Sequence, residues 1–297
     1  MPVELSTGVS LKNILCATDF CESSQAALAV AADYARRHGS QLWVAHVMPP
    51  QPRRGIPMEP LPKTLGAEWA AAEQRIYALS CSALLADIPH QVELQRGELW
   101  PVIADILPRH DIDLIVAGSH GRGGVSKLLV GSVAEEITRL APCPVLVVGP
   151  HCTARGVPQE RLRHILYATD FDPGSLHAFD YALWLAEQNH AQLSLLHVIE
   201  MPESLELDRA QPERARFMTK LAELVPPDAQ LSSTADVLVE FGDPAAVMLQ
   251  VAVEKQSDLI VMGARRTQHP QASTHLAQAM THRVLVQAMC PVLTVRG

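Results

Sequence analysis

The sequence predicts an α/β protein built as two tandem, open, five-stranded parallel-sheet sandwiches, one in each half of the chain. Three observations predict it. Short apolar runs alternate with helical stretches, the pattern of a parallel sheet covered by helices on both faces. The series of runs occurs twice in the same order. A glycine-bracketed loop, from Gly118-Ser119-His120-Gly121 to Gly131-Ser132, joins one apolar run to a helix.

In the first half, strand one spans Asn13 to Ala17, all apolar after its first residue. Helix one runs from about Ser23 to His38, with Ala27, Val30, Ala31, Tyr34 and Ala35 on one face and Gly39 as its stop. Strand two is Gln41 to Val47. The proline-rich stretch Pro49 to Pro62 is either a lid or a stiff surface connection. Helix two follows over Thr64 to Ala86, strand three over Gln91 to Gln95 and helix three over Trp100 to His110. Strand four is Asp113 to Ala117, helix four begins at Val133 with an acidic first turn, and strand five is Val145 to Val148.

The second half repeats this order. Ile165 to Phe171 copies Ile14 to Phe20 with one substitution, and Leu195-Leu196-His197-Val198 corresponds to Val44 to Val47. Gly242-Asp243 stands for Gly97-Glu98, Asp258 to Gly263 for Asp113 to Gly118, and Cys290 to Val295 for Cys143 to Val148. A period of a whole domain means duplication rather than a solenoid. At 297 residues the chain has room for two domains of about 150 residues. We place them at 1–150 and 161–297, with the join in the polar stretch Gly149 to Arg163.

A hydrophobic fraction of 48% lets each half bury a core, and a formal charge of -8 argues against nucleic acid or an anionic membrane as partner. No apolar run is long enough to span a bilayer, and the start lacks the regions of a signal peptide. Six scattered cysteines read as free thiols in a reducing cytosol, which predicts a cytoplasmic protein. A redox role for Cys16 and Cys21, the closest pair, is the competing reading.

Parallel sheets of this kind take ligands outside the carboxyl ends of their strands, where the strand order reverses. Asp19, Val47 and Gly118 all stand at such ends and are expected to share one crevice. Gly118 and Gly121 let backbone amides approach an anion, and Gly131, Ser132 and Val133 open a helix whose first N–H groups point at it. The layout is a phosphate cradle; the competing reading of each glycine is an ordinary turn. His120, Arg122 and Lys127 are cations placed to partner phosphate oxygens or to face solvent. His46, inside a strand, reads as a buried structural histidine.

The spacing G-x2-G-x9-G-S, with Lys12 to Phe20, Leu42 to Val47 and Pro142 to Val148 in order before and after it, resembles the universal stress protein family over nearly the whole chain. The resemblance implies a Rossmann-like fold and an adenosine triphosphate site in the first half, with or without magnesium. It implies that Asp19 lies near the ribose or an accompanying metal; the other role open to it is an N-cap for helix one, and the two are compatible. It implies that the backbone around Ala17 and Val47 meets the adenine ring, against plain core packing. It also implies that Val145 to Val148 face Val292 to Val295, as a pseudo-twofold intramolecular dimer, with a homodimer of whole chains as a further level.

The second half keeps Asp170, Val198 and Gly263 but carries Arg266 at the second glycine position and no glycine again until Gly297. Side chains there obstruct amide–phosphate contact, so this half is expected not to bind the nucleotide in the usual way. Arg265 and Arg266 leave a different anion open. His269, His275 and His282 are tempting as metal ligands. Two of them, two helical turns apart, stand about 10 Å from each other, too far for one ion.

Three function classes remain. The leading one is a cytosolic regulatory or stress-protective protein with one competent site and protein partners the sequence does not name. An enzyme is the second: a slow ATP hydrolase or a nucleotidyl-transferring relative. Hydrolysis needs a positioned base, and only Asp19 and His120 are placed for it, neither with an evident orienting partner. A non-binding scaffold is the third, and the intact first loop argues against it.

Overall fold

The computed structural model describes residues 9–50, 64–119, 132–152, 161–200, 207–264 and 274–296. In the first half the order is β1 (Asn13–Ala17), α1 (Glu22–His38), β2 (Gln41–Met48), α2 (Thr64–Ser80), β3 (His90–Arg96), α3 (Leu99–Arg109), β4 (Leu114–Gly118), α4 (Ser132–Leu140) and β5 (Val145–Val148). The second half repeats it as β6 (His164–Ala168), α5 (Pro173–Asn189), β7 (Gln192–Ile199), α6 (Leu207–Ala222), β8 (Asp236–Phe241), α7 (Pro244–Glu254), β9 (Leu259–Ala264), α8 (Thr274–Gln287) and β10 (Val292–Arg296).

All ten strands form one sheet in the order β3-β2-β1-β4-β5-β10-β9-β6-β7-β8. Every pairing is parallel except the seam, where β10 runs antiparallel to β5 with Val292 opposite Val147, Leu293 opposite Leu146 and Thr294 opposite Val145. The two five-stranded units are thus mirrored in strand order about their closing strands, as the family resemblance implies. Thr294 Oγ1 adds a side-chain bond across the seam to the Val145 carbonyl at 3.2 Å.

Strand alternation divides the core into two layers. Ile14, Cys16, Leu146, Val148, Leu293 and Val295 face one side, with buried residues of α1 and α5. Leu15, Ala17, Val145, Val147 and Val292 face the other, with α3, α4, α7 and α8. Both layers cross the seam without interruption.

The duplication reaches the hydrogen bonds. The Asp113 carboxylate accepts the amides of Lys12 (2.7 Å) and Asn13 (2.9 Å), clamping the start of β1 beside β4. Asp258 does the same for Arg163 (2.7 Å) and His164 (3.1 Å) in the second half. Helix α1 stops at Gly39, in the left-handed region at φ 65°; α5 stops at His190, also left-handed at φ 52°.

Helix α2 ends at Ser80, short of the expected Ala86. Ser80, Cys81 and Ser82 are weak helix residues, and the Ser82 amide bonds three residues back to Leu79 in a tighter turn. The turn buries Leu85 completely, so the apolar period that extends the helix in sequence is met by a turn instead.

Candidate functional site

The first-half strand order places β1 between β2 and β4, with Ala17 opposite both Ala45 and Ala117. The segment after β1 leads to α1 on one face, and α4, after β4, lies on the other. The sheet therefore has its switch point between the ends of β1 and β4. Ala17 ends β1, Asp19 follows two residues on, Val47 is the penultimate residue of β2 and Gly118 ends β4. The four fall at the same edge of three adjacent strands. Ser132 starts α4, with Val133 next and half-buried. His120, Gly121, Arg122, Lys127 and Gly131 lie outside the described residues, as do Arg265, Arg266 and His269.

The segment after β1 has a specific shape. Phe20 adopts φ 64°, and so does its repeat, Phe171, at 62°. This region costs an L-residue about 1–2 kcal/mol, so the conformation must be held. Thr18 and Thr169 hold it by accepting the Phe20 and Phe171 amides on Oγ1 at 3.1 and 2.9 Å. The carbonyls of the same threonines accept Nδ1–H of His46 (2.7 Å) and of His197 (2.8 Å). Both imidazoles are buried, His46 as the sequence implied. Each then lies against the phenyl ring it helps to place, at 4.5 Å for Phe20–His46 and 5.0 Å for Phe171–His197. A cation covers each ring: Arg75 over Phe20 at 5.2 Å, Lys220 over Phe171 at 5.1 Å. Neither the phenylalanines nor these cations were singled out from sequence, although Phe20 and Phe171 close the most strictly repeated run in the chain.

Asp19 does not cap helix one. Cys21 is the N-cap, its sulfur accepting the Ser24 amide at 3.5 Å, while Asp19 Oδ1 accepts the Cys21 amide at 3.0 Å. The helix begins at Glu22, which leaves Asp19 outside the cap position. In the second half Asp170 Oδ1 takes the matching Asp172 amide (3.1 Å) and also the Ser175 hydroxyl (2.7 Å). The counterpart, Ser24, reaches the Cys21 carbonyl at 3.0 Å, as Ser175 also reaches the Asp172 carbonyl at 2.9 Å.

Gly118 has a packing reason of its own. A β-carbon there would stand 2.6 Å from the Ser23 carbonyl oxygen and 2.9 Å from the Ser24 nitrogen, inside the first turn of α1. At Gly263 it would stand 2.5 Å from the backbone of Ser175. This close approach of strand to helix explains why the second half retains its first glycine. It is compatible with a ligand role for Gly118 but does not require one.

Farther out, the Arg96 guanidinium at the end of β3 lies over Trp69 of α2, at 5.6 Å, and its Nη2 reaches Met48 Sδ. Among the described residues no group of three or more histidine, cysteine or carboxylate side chains is placed to hold a metal. His275 and His282 do share α8. Among the described residues no helix is long and apolar enough to cross a membrane.

The sequence profile described as the Universal stress protein family matches residues 10–149 and again 161–296. A universal stress protein of Mycobacterium tuberculosis is 28% identical over 292 residues, covering 93% of each chain. One from Thermus aquaticus is 34% identical over 144 residues, 46% of this chain and 98% of that relative. The crystal structure of a universal stress protein from Archaeoglobus fulgidus covers 97% of this chain and 99% of its own at a TM-score of 0.69. Its 20% identity speaks for the fold.

Proposed function

The chain belongs to the universal stress protein family, and from that premise we propose that it is a regulatory protein binding one adenine nucleotide, ATP, in the crevice of its first half. One observation carries the reading: Asp19, Val47 and Gly118 stand together at the switch point between β1 and β4, and the glycine-bracketed segment of sequence joins that point to the start of α4. A nine-residue helix that begins where the glycine-bracketed segment ends would offer its first-turn amides and a favourable dipole to phosphate.

The donor set fits such a ligand. Backbone amides suit phosphate oxygens, and the Asp19 carboxylate, already fixed through Cys21, suits a ribose hydroxyl or a magnesium ion carried by the nucleotide. Ala17 and Val47 border the place for the base. A cytoplasmic setting, which the scattered cysteines of the sequence favour, and regulation of protein partners, which the family membership suggests, complete the proposal.

ATP titration of the wild type against Gly121→Trp and Gly131→Trp tests it. One ATP per chain is expected for the wild type, with affinity lowered at least about tenfold in each variant, the loss of roughly 1.4 kcal/mol of binding. Equal affinity in all three rejects the pocket.

A further inference from the structure

The segment that carries Asp19 is fixed by two consecutive residues of β2. The Thr18 amide donates to the Ala45 carbonyl at 2.9 Å, and the Thr18 carbonyl accepts Nδ1–H of His46 at 2.7 Å. Val47, at the place proposed for the base, is the next residue of the strand. Strand alternation puts Val44 and His46 on the α1 side of the sheet, and Ala45 and Val47 on the α4 side. His46 is therefore buried on the far side from the crevice, against Phe20, and is not itself a contact for a ligand there. Its hydrogen bond reaches through the sheet edge all the same. The Thr18 carbonyl belongs to the peptide unit that joins Thr18 to Asp19, and in a planar trans peptide C=O and N–H point in opposite directions. With the oxygen turned toward His46, the Asp19 amide is turned away from it. Asp19 Oδ1 in turn takes the Cys21 amide at 3.0 Å.

We propose that His46 is a positioning residue of the first crevice: by holding the Thr18 carbonyl it orients the peptide that carries Asp19, and so sets where the Asp19 backbone and carboxylate stand relative to Val47. The role rests on the reading of that crevice as the nucleotide site. Thr18 is buried. Without the imidazole its carbonyl loses a partner that burial makes costly to lose, and turning the peptide toward water recovers a hydrogen bond. That turn carries the Asp19 amide and side chain with it. The second half supplies the control. Thr169 donates to the Leu196 carbonyl at 3.0 Å and accepts from His197 at 2.8 Å, so His197 has the same part in the fold. It serves a half in which Arg266 stands at the second glycine position of the sequence. The two histidines are thus alike in what they do for the fold and, on the proposed function, unlike in what they do for ATP.

The test uses the full chain, with His46→Leu, His197→Leu and His46→Asn each read by urea unfolding without nucleotide and by ATP titration. Both leucine variants should lose stability to a similar extent. Only His46→Leu should lose ATP affinity, by at least about tenfold. His46→Asn keeps an amide donor near the place of Nδ1 and should recover most of that affinity. A folded His46→Leu chain that binds ATP as wild type does overturns the proposal. So does an equal loss of affinity in His197→Leu, because the effect would then be one of general stability. A folded His46→Asn chain as weak as His46→Leu overturns it too, since the ring and not its hydrogen bond would then matter. If His46→Leu does not fold, His46→Gln, whose amide reaches past the Nδ1 position, takes its place under the same expectations. Wild-type chain that takes up no ATP rejects the crevice reading and the positioning role together. ATP bound equally by wild type and His46→Leu rejects the positioning role alone.

Discussion

The two crevices of this molecule descend from one design and differ in what was allowed to change. Each has a phenylalanine held left-handed by a threonine, a buried histidine under it, a cation above it and a glycine pressed against the following helix. These parts hold the strand ends and helix starts together. In sequence the halves differ at the second glycine position, which is Gly121 in one and Arg266 in the other, and at Phe217 against Ala72. On the proposed function, the duplication separates residues that serve the fold from residues that serve the ligand.

The first way to break this comparison is at Gly118 and Gly263. Gly118→Ala and Gly263→Ala should each destabilise the protein by about 3 kcal/mol, since the new methyl meets helix backbone that cannot step aside. Urea unfolding reads it. A silent Gly263→Ala would mean the glycine is a relic, and the fold-versus-ligand division would fail at its clearest residue.

A second prediction concerns the last residue of each first helix, His38 in α1 and Asn189 in α5. Burial, aided by Arg37, pushes the His38 imidazole down from 6.5 to about 4. It lies against Trp184 of the other half at 4.8 Å. The unfolded chain takes the proton first as pH falls, so this stability is complete above about pH 6.5 and lost on the way to about 4. The loss is of order 3 kcal/mol. Denaturation midpoints at pH 7.5 and 4.5 should differ less in His38→Asn, which copies the other half, than in wild type. An equal acid loss in both would place the sensitivity elsewhere.

The smallest effect is expected where those helices stop. Gly39 and His190 hold the same left-handed conformation, and only the glycine does so without strain. His190→Gly should gain, and Gly39→Ala lose, about 1 kcal/mol by thermal melting. Loss in both would show that the His190 side chain contributes more than its backbone costs.

The fold was legible because its signals are local and repeated. β1 matches its expected bounds, and the closing strands pair where the resemblance put them. The end of α2 was not legible, because Leu84 and Leu85 continue a helical apolar period that a turn satisfies equally well. The site was readable to the level of strand ends and no deeper. Gly118 looks like a ligand glycine in sequence, yet its close neighbours are Ser23 and Ser24, far away along the chain. Asp19 looks like a cap until the helix is seen to start at Glu22 and Cys21 to take that place. Phe217 leaves no mark in the sequence: it is a half-buried residue on a polar helix that packs against the core beside Phe171 and His197.

The seam between β5 and β10 has a further consequence. Because backbone ladder and both apolar layers run through it, neither half can melt without exposing the other's flank. Heat or denaturant therefore meets one cooperative body. Any free energy delivered by a small molecule at one end is shared along all ten strands, so occupancy of a single crevice would raise the melting temperature of the distant half as well.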